Sequence, residues 1–153
     1  MSKPGPVYFT DENTLGLGKL LRRSGRTDVL YPGHEDLPEV PVGTPDLAWM
    51  PALARLDLVV VTRDRRIRTR PAELRAYWEL GIRSVWIGAK QDLGPRDQLD
   101  VFLKHEVRLQ REILKRGAGP WALAMTPSGV RPLVLREPSL PHESDSSSQR
   151  PLP

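Results

Sequence analysis

The chain contains no cysteine. It can therefore build no disulfide framework, thiolate metal site, zinc knuckle or cysteine nucleophile, a composition that fits a cytosolic protein. No apolar run approaches the ~20 residues that a bilayer-spanning helix needs. The opening Met1-Ser2-Lys3-Pro4-Gly5-Pro6 lacks the apolar core of a secretory signal, so no membrane partner is expected and the cytoplasm is the expected location. No internal repeat is visible. Gly16-Leu17-Gly18-Lys19 hints at a phosphate-binding loop but lacks the full Walker spacing and falls inside a predicted helix.

What is present describes one globular domain. At 153 residues, with 39% hydrophobic and 27% charged residues, the chain is long enough to bury roughly 68–70% of its unfolded surface. The formal net charge is +4, and arginine supplies most of the positive side. Clustered arginine favours phosphate, because the planar guanidinium binds phosphate oxygens bidentately.

The clearest element is Asp57-Leu58-Val59-Val60-Val61-Thr62-Arg63-Asp64. A short β-branched run bounded by polar residues reads as a buried central strand. It stops at a carboxylate crowded by Arg63, Arg65, Arg66, Arg68 and Arg70. Before it, Val7-Tyr8-Phe9-Thr10 reads as a strand ending in Asp11-Glu12-Asn13. A helix over 14–24 follows, with Gly25 as its stop. Asp28 to Tyr31 predicts a second strand, and Pro32 to Gly43 a loop. Thr44 can cap a helix with Pro45 at its first position and Asp46 in its first turn. That helix runs to Leu56, with Pro51 expected to kink or divide it.

After the central strand, Pro71 to Leu80 predicts a helix stopped by Gly81. Ser84 to Gly88 predicts a strand, and Pro95 to Arg116 the longest helix, with Leu99, Phe102, Leu103, Val107, Ile113 and Leu114 as its apolar stripe. Trp121–Met125 and Val130–Leu135 predict a terminal hairpin or one strand plus an edge segment, with Pro132 arguing for an edge. The domain is expected to span residues 7–136, with disordered segments at 1–6 and 137–153. Alternating strands and helices give an α/β class with a mostly parallel sheet. Parallel strands put their carboxyl ends on one rim, where Asp11, Asp46 and Asp64 can converge.

Two bare carboxylates about 4 Å apart repel by roughly 4 kcal/mol at an effective dielectric near 20, so such a cluster needs a cation or a proton. Oxygen ligands without cysteine or a histidine pair select Mg²⁺ or Mn²⁺, and such a metal beside a phosphodiester supports hydrolysis. Each acid also has a structural role open to it: Asp11 or Asn13 can cap a helix, Asp46 can complement a helix dipole, and Asp64 can pair with its neighbouring arginines.

Asp11-Glu12-Asn13 after a first strand, Asp46 opening a middle helix, and Val60-Val61-Thr62-Arg63-Asp64-Arg65-Arg66 together resemble the PIN-like domains. The resemblance is in particular to the group of VapC-type toxins and related uncharacterised proteins with an Asp-Glu-Asn start. The resemblance covers Val7 to Leu135. It implies a Rossmann-like three-layer α/β/α sandwich and a Mg²⁺- or Mn²⁺-dependent ribonuclease, often a toxin encoded beside an antitoxin. Carried over, Asp11, Asp46 and Asp64 are the catalytic and metal-binding acids, with Glu12 auxiliary. A second acid two residues past the strand-end aspartate is common in the family, and here Arg66 stands there; Glu73 and Asp92 are the substitutes. Arg63, Arg65, Arg66 and Arg68 would hold RNA, and Tyr8, Tyr77 or Trp78 would stack a base. His34 could assist proton transfer. The expected partners are RNA and a cognate antitoxin, and a homodimer is compatible with the sequence. The alternatives are a catalytically degenerate PIN-like module that binds nucleic acid or protein, and a receiver-like phosphoacceptor domain in which Lys90 would be the later lysine. For a receiver the acceptor strand stands too late in the chain.

Overall fold

Val59-Val60-Val61-Thr62 is wholly buried because helices cover both faces of the sheet it occupies. The computed structural model describes residues 5–65 and 69–138. Strands β1 (Tyr8–Thr10), β2 (Val29–Leu30), β3 (Val59–Thr62), β4 (Arg83–Ile87), β5 (Trp121–Thr126) and β6 (Gly129–Leu133) form one sheet in the order β2-β1-β3-β4-β5-β6. β1 to β5 are parallel; β6 returns antiparallel along the edge, where Pro132 is tolerated.

Strand alternation divides the core in two. Val59 and Val61 join Tyr8, Leu17, Leu21, Phe102 and Leu109, so α1 (Leu15–Arg23) and α4 (Pro95–Arg116) cover that face. Val60 joins Phe9, Trp49, Leu53 and Tyr77 on the other, covered by α2 (Asp46–Leu56) and α3 (Pro71–Leu80). The result is the three-layer α/β/α sandwich with a mostly parallel sheet. Among the described residues, no helix is long and apolar enough to cross a membrane.

Local chemistry sets the boundaries. Gly81 closes α3 in the left-handed region at φ 66°, and Asp57 closes α2 at φ 57°, where its carboxylate meets Arg83 at 3.0 Å. Two local expectations are corrected. Pro45, not Thr44, stands at the cap of α2, because the Thr44 hydroxyl donates back to the Pro41 carbonyl at 2.6 Å. Pro51 does not divide α2, which runs unbroken while burying Trp49, Met50, Ala52 and Leu53; burial of that face outweighs the missing backbone bond.

The α4 boundaries are as expected, and of its expected stripe Phe102 is buried and Leu99 and Ile113 pack against the core, but the other half is not buried. Gln98, Val101, Phe102, Leu109 and Glu112 face inward, whereas Leu103, Val107 and Leu114 are exposed. The polar members of this stripe are partnered in part: Gln98 Nε2 donates to the Leu93 carbonyl at 2.8 Å while its Oε1 is buried without a partner among the described residues, and Glu112 receives Arg116 at 3.2 Å. Tyr8 and Tyr77 are also core residues, 1% and 0% exposed, and neither can stack a base.

Trp49 couples the fold to the rim. It is fully buried against Phe9, ring centroids 5.1 Å apart, and lies one turn after Asp46. Trp49→Ala should cost about 3 to 5 kcal/mol in denaturant unfolding, as large core truncations do.

Candidate active site

The strand order reverses between β1 and β3, since β1 has β2 on one side and β3 on the other. In sheets of this kind the crevice beyond the carboxyl ends at that reversal is where ligands sit. Asp11 follows β1 and Asp64 lies two residues past β3, so both stand at this crevice.

Asp11 is 2% exposed. A single 3₁₀ turn, Glu12–Thr14, follows it and brings the Thr14 hydroxyl to 3.0 Å from Asp11 Oδ1. Thr62, the last residue of β3, donates its hydroxyl to Asp11 Oδ2 at 2.6 Å and accepts the Asp64 backbone N–H at 3.1 Å. One threonine thus links the Asp11 carboxylate to the Asp64 backbone. Asp46, at the start of α2, is close enough to Asp11 and to Asp64 to repel both.

A positive charge already lies among these acids. The Arg70 guanidinium is 3.3 Å from Asp64, 3.6 Å from Glu73 and 3.9 Å from Asp46. Among the described residues, no three carboxylate or histidine side chains are gathered as a ready metal cage. Glu12 is turned aside, its Oε1 accepting the Gly43 N–H.

The acids report their surroundings. Burial raises Asp11 to about 6, with Asp46 adding repulsion against the threonine hydrogen bonds. Burial, then Asp64, raises Asp46, opposed by Arg70. In the window from about 4 to 6 the folded chain holds the Asp11 proton that the unfolded chain has lost. Stability of the metal-free protein should therefore fall as pH rises from about 4 to about 6 and then level off. The Asp11 contribution is on the order of 3 kcal/mol, checked by urea unfolding across that range.

The donor chemistry fits a hard divalent cation. Asp11, Glu12, Asp46 and Glu73 line one cavity of about 680 Å³ together with Arg70, while Asp64 lines the neighbouring cavity; the carboxylate oxygens are ligands such a cation takes, and burial disfavours the charged forms of Asp11 and Asp46.

The model of the PIN-like domain family matches residues 6–89, more than half of the chain. The chain belongs to the PIN-like domain family. No curated protein and no solved structure matches it significantly. The matched region of this PIN-like domain runs from before β1 to just past β4 and contains Asp11, Asp46, Asp64 and Arg70.

The structure brings Asp11, Asp46 and Asp64 to one rim as expected and adds Glu73, which the sequence offers only as a substitute. Asp92 lines a second cavity beside Asp64. Arg63 and Arg65 line that same cavity; Arg66 and Arg68 lie outside the described residues. His34 is 7% exposed beyond β2, its Nδ1 accepting the Asp36 N–H. Trp78 lies on α3 and donates to the Arg136 carbonyl at 2.9 Å. Thr62 and Trp86 are functional candidates that sequence reasoning misses, and Arg70 is one it names only among the arginines crowding Asp64. For Thr62 a signal exists, because residues two apart in an extended chain share a side.

Proposed function

We propose that this PIN-like domain is a metal-dependent endoribonuclease in which Asp11, Asp46 and Asp64 hold Mg²⁺ or Mn²⁺. The observation that carries the reading is the placing of Asp46 close to both strand-end acids, Asp11 and Asp64, with Thr62 bonded to the Asp11 carboxylate and to the Asp64 backbone. When bound, such a cation generates hydroxide at neutral pH and stabilises the leaving oxygen of a phosphodiester. Thr62 fixes Asp11 against Asp64, and Asp46, placed by the first turn of α2, completes the oxygen set. Arg63 and Arg65 would bind phosphates beside Asp64, an attraction weakened by salt and blind to base sequence. The toxin assignment rests on the resemblance of the Asp-Glu-Asn start to VapC-type proteins.

Arg70 supports a second reading, a degenerate module in which its guanidinium permanently replaces the metal. Mn²⁺ separates the two. At 100 times its dissociation constant it should stabilise an active domain by about 2.7 kcal/mol, seen as a rise in melting temperature that Asp64→Asn abolishes. RNA should be cleaved in Mn²⁺ and spared in EDTA. No Mn²⁺-dependent shift, with no cleavage, leaves the degenerate module. Induced expression in a bacterial host should arrest growth if the nuclease is a toxin; normal growth with active protein present removes that assignment.

A further inference from the structure

Beyond Asp64 the rim continues into a groove unlike the acidic crevice. A cavity of about 540 Å³, bordered by Arg63, Asp64, Arg65, Trp86, Lys90 and Asp92, adjoins one of about 560 Å³ that runs under the β5–β6 turn to Arg131. The two share Arg65, Trp86 and Lys90 as their common wall. Both fall within the roughly 300–1,000 Å³ of small-ligand sites. Among the described residues, no carboxylate forms an ion pair with Arg63, Arg65, Lys90 or Arg131, whereas Arg26, Arg70, Arg83 and Arg116 all have acidic partners. The groove therefore carries four cationic side chains outside ion pairs among the described residues, against two bordering carboxylates, Asp64 and Asp92.

Its wall is built rather than incidental. Trp86 is held by a hydrogen bond from Nε1 to the Arg63 carbonyl at 3.0 Å, and the Arg65 guanidinium lies 4.5 Å from the centre of its ring. Gly88 leaves room for that ring, since a Cβ there would fall 2.5 Å from it. The turn on the far wall is anchored by His105, whose Nε2 is 3.1 Å from the Pro127 carbonyl. Trp86 is itself buried, 8% exposed, so the face left to a ligand is the Arg65 guanidinium, which keeps its charge over the ring and is a planar group on which single-stranded bases stack.

We propose that this groove is a binding subsite for single-stranded RNA: a base stacks on the exposed Arg65 guanidinium, which the buried Trp86 ring backs, and Lys90 and Arg131 bind the phosphates that lead away from Asp64. The choice of RNA rests on the ribonuclease reading; the groove itself does not need the metal. A strand lying this way places one phosphodiester beside the acids and the next nucleotides under the hairpin, so affinity should grow with length past the cleavage point.

The test is fluorescence anisotropy in EDTA with fluorescein-labelled oligouridines of two and eight nucleotides, over a range of salt concentrations. The eight-nucleotide RNA should bind at least tenfold more weakly to Lys90→Gln/Arg131→Gln than to wild type. Its log–log salt slope should be shallower by about 1.4, since each phosphate of a single strand that is no longer neutralised removes about 0.7. The two-nucleotide RNA should not distinguish the proteins, and Arg65→Gln, a surface change that spares the fold, should also weaken the longer RNA. Equal affinity and equal slope for the eight-nucleotide RNA overturn the subsite. If the predicted pattern holds while Mn²⁺-dependent cleavage is absent, the groove stands and the nuclease reading falls. If cleavage is present and the double variant retains wild-type KM for the longer RNA, the groove falls and the nuclease stands.

Discussion

Asp11→Asn is expected to abolish RNA cleavage and at the same time to stabilise the metal-free protein. Asp11 is the most buried of the site acids, and burial raises it to about 6. At neutral pH it is mostly ionised, held in an environment that disfavours the charge by an amount on the order of 3 kcal/mol. Asparagine has nearly the same shape, can still accept the Thr62 hydroxyl through its amide oxygen, and brings no charge into the core. The variant should gain ~1–3 kcal/mol in urea unfolding at pH 7.5. The gain should vanish near pH 4, where the aspartate is itself protonated. Cleavage in Mn²⁺ should drop by about three orders of magnitude or more, each tenfold corresponding to 1.36 kcal/mol of barrier. A loss of function with a gain of stability is the signature of a strained functional group. A variant both less stable than wild type and still active would make Asp11 a structural residue.

Arg70→Gln is expected to tighten Mn²⁺ binding by about tenfold or more. The guanidinium lies within 4 Å of Asp46, Asp64 and Glu73, so an incoming cation competes with it for the same carboxylates. Removing it leaves acids that repel one another and attract a metal more strongly. Its side chain is 39% exposed, so solvent screens the pairs and their loss should cost the metal-free protein only ~1 kcal/mol. Arg70→Lys, which retains the charge, should bind metal as wild type does. Calorimetric titration with Mn²⁺ checks the order of the three proteins. Weaker binding by Arg70→Gln would mean that Arg70 organises the acids for the metal instead of competing with it.

Most of the architecture was legible because it rests on local signals: the β-branched run of β3, glycines past helix ends, and prolines at helix starts. The three acids were legible because parallel topology sends every strand-end residue to the same rim. What escaped was decided by partners distant in sequence. Apolar leucines along α4 could not reveal that Leu103 and Leu114 face solvent while Gln98 and Glu112 turn inward, where Gln98 Nε2 meets the Leu93 carbonyl and Glu112 meets Arg116. Tyr8 and Tyr77 looked available for stacking only while the sheet faces they occupy were unknown. Arg70 stood last in a run of arginines, and nothing in that run separates the residue that turns back to the acids from Arg65, which lies on Trp86.

The central claim is that carboxylates at the β1 and β3 ends hold a metal that cleaves RNA. It is tested most directly by the cleavage rate of a labelled single-stranded RNA in Mn²⁺ for wild type and Asp64→Asn prepared in parallel. Cleavage by wild type, abolished by EDTA, restored by added Mn²⁺ and lost in Asp64→Asn is the predicted result. Equal rates for the two proteins, or cleavage that persists in EDTA, would contradict it.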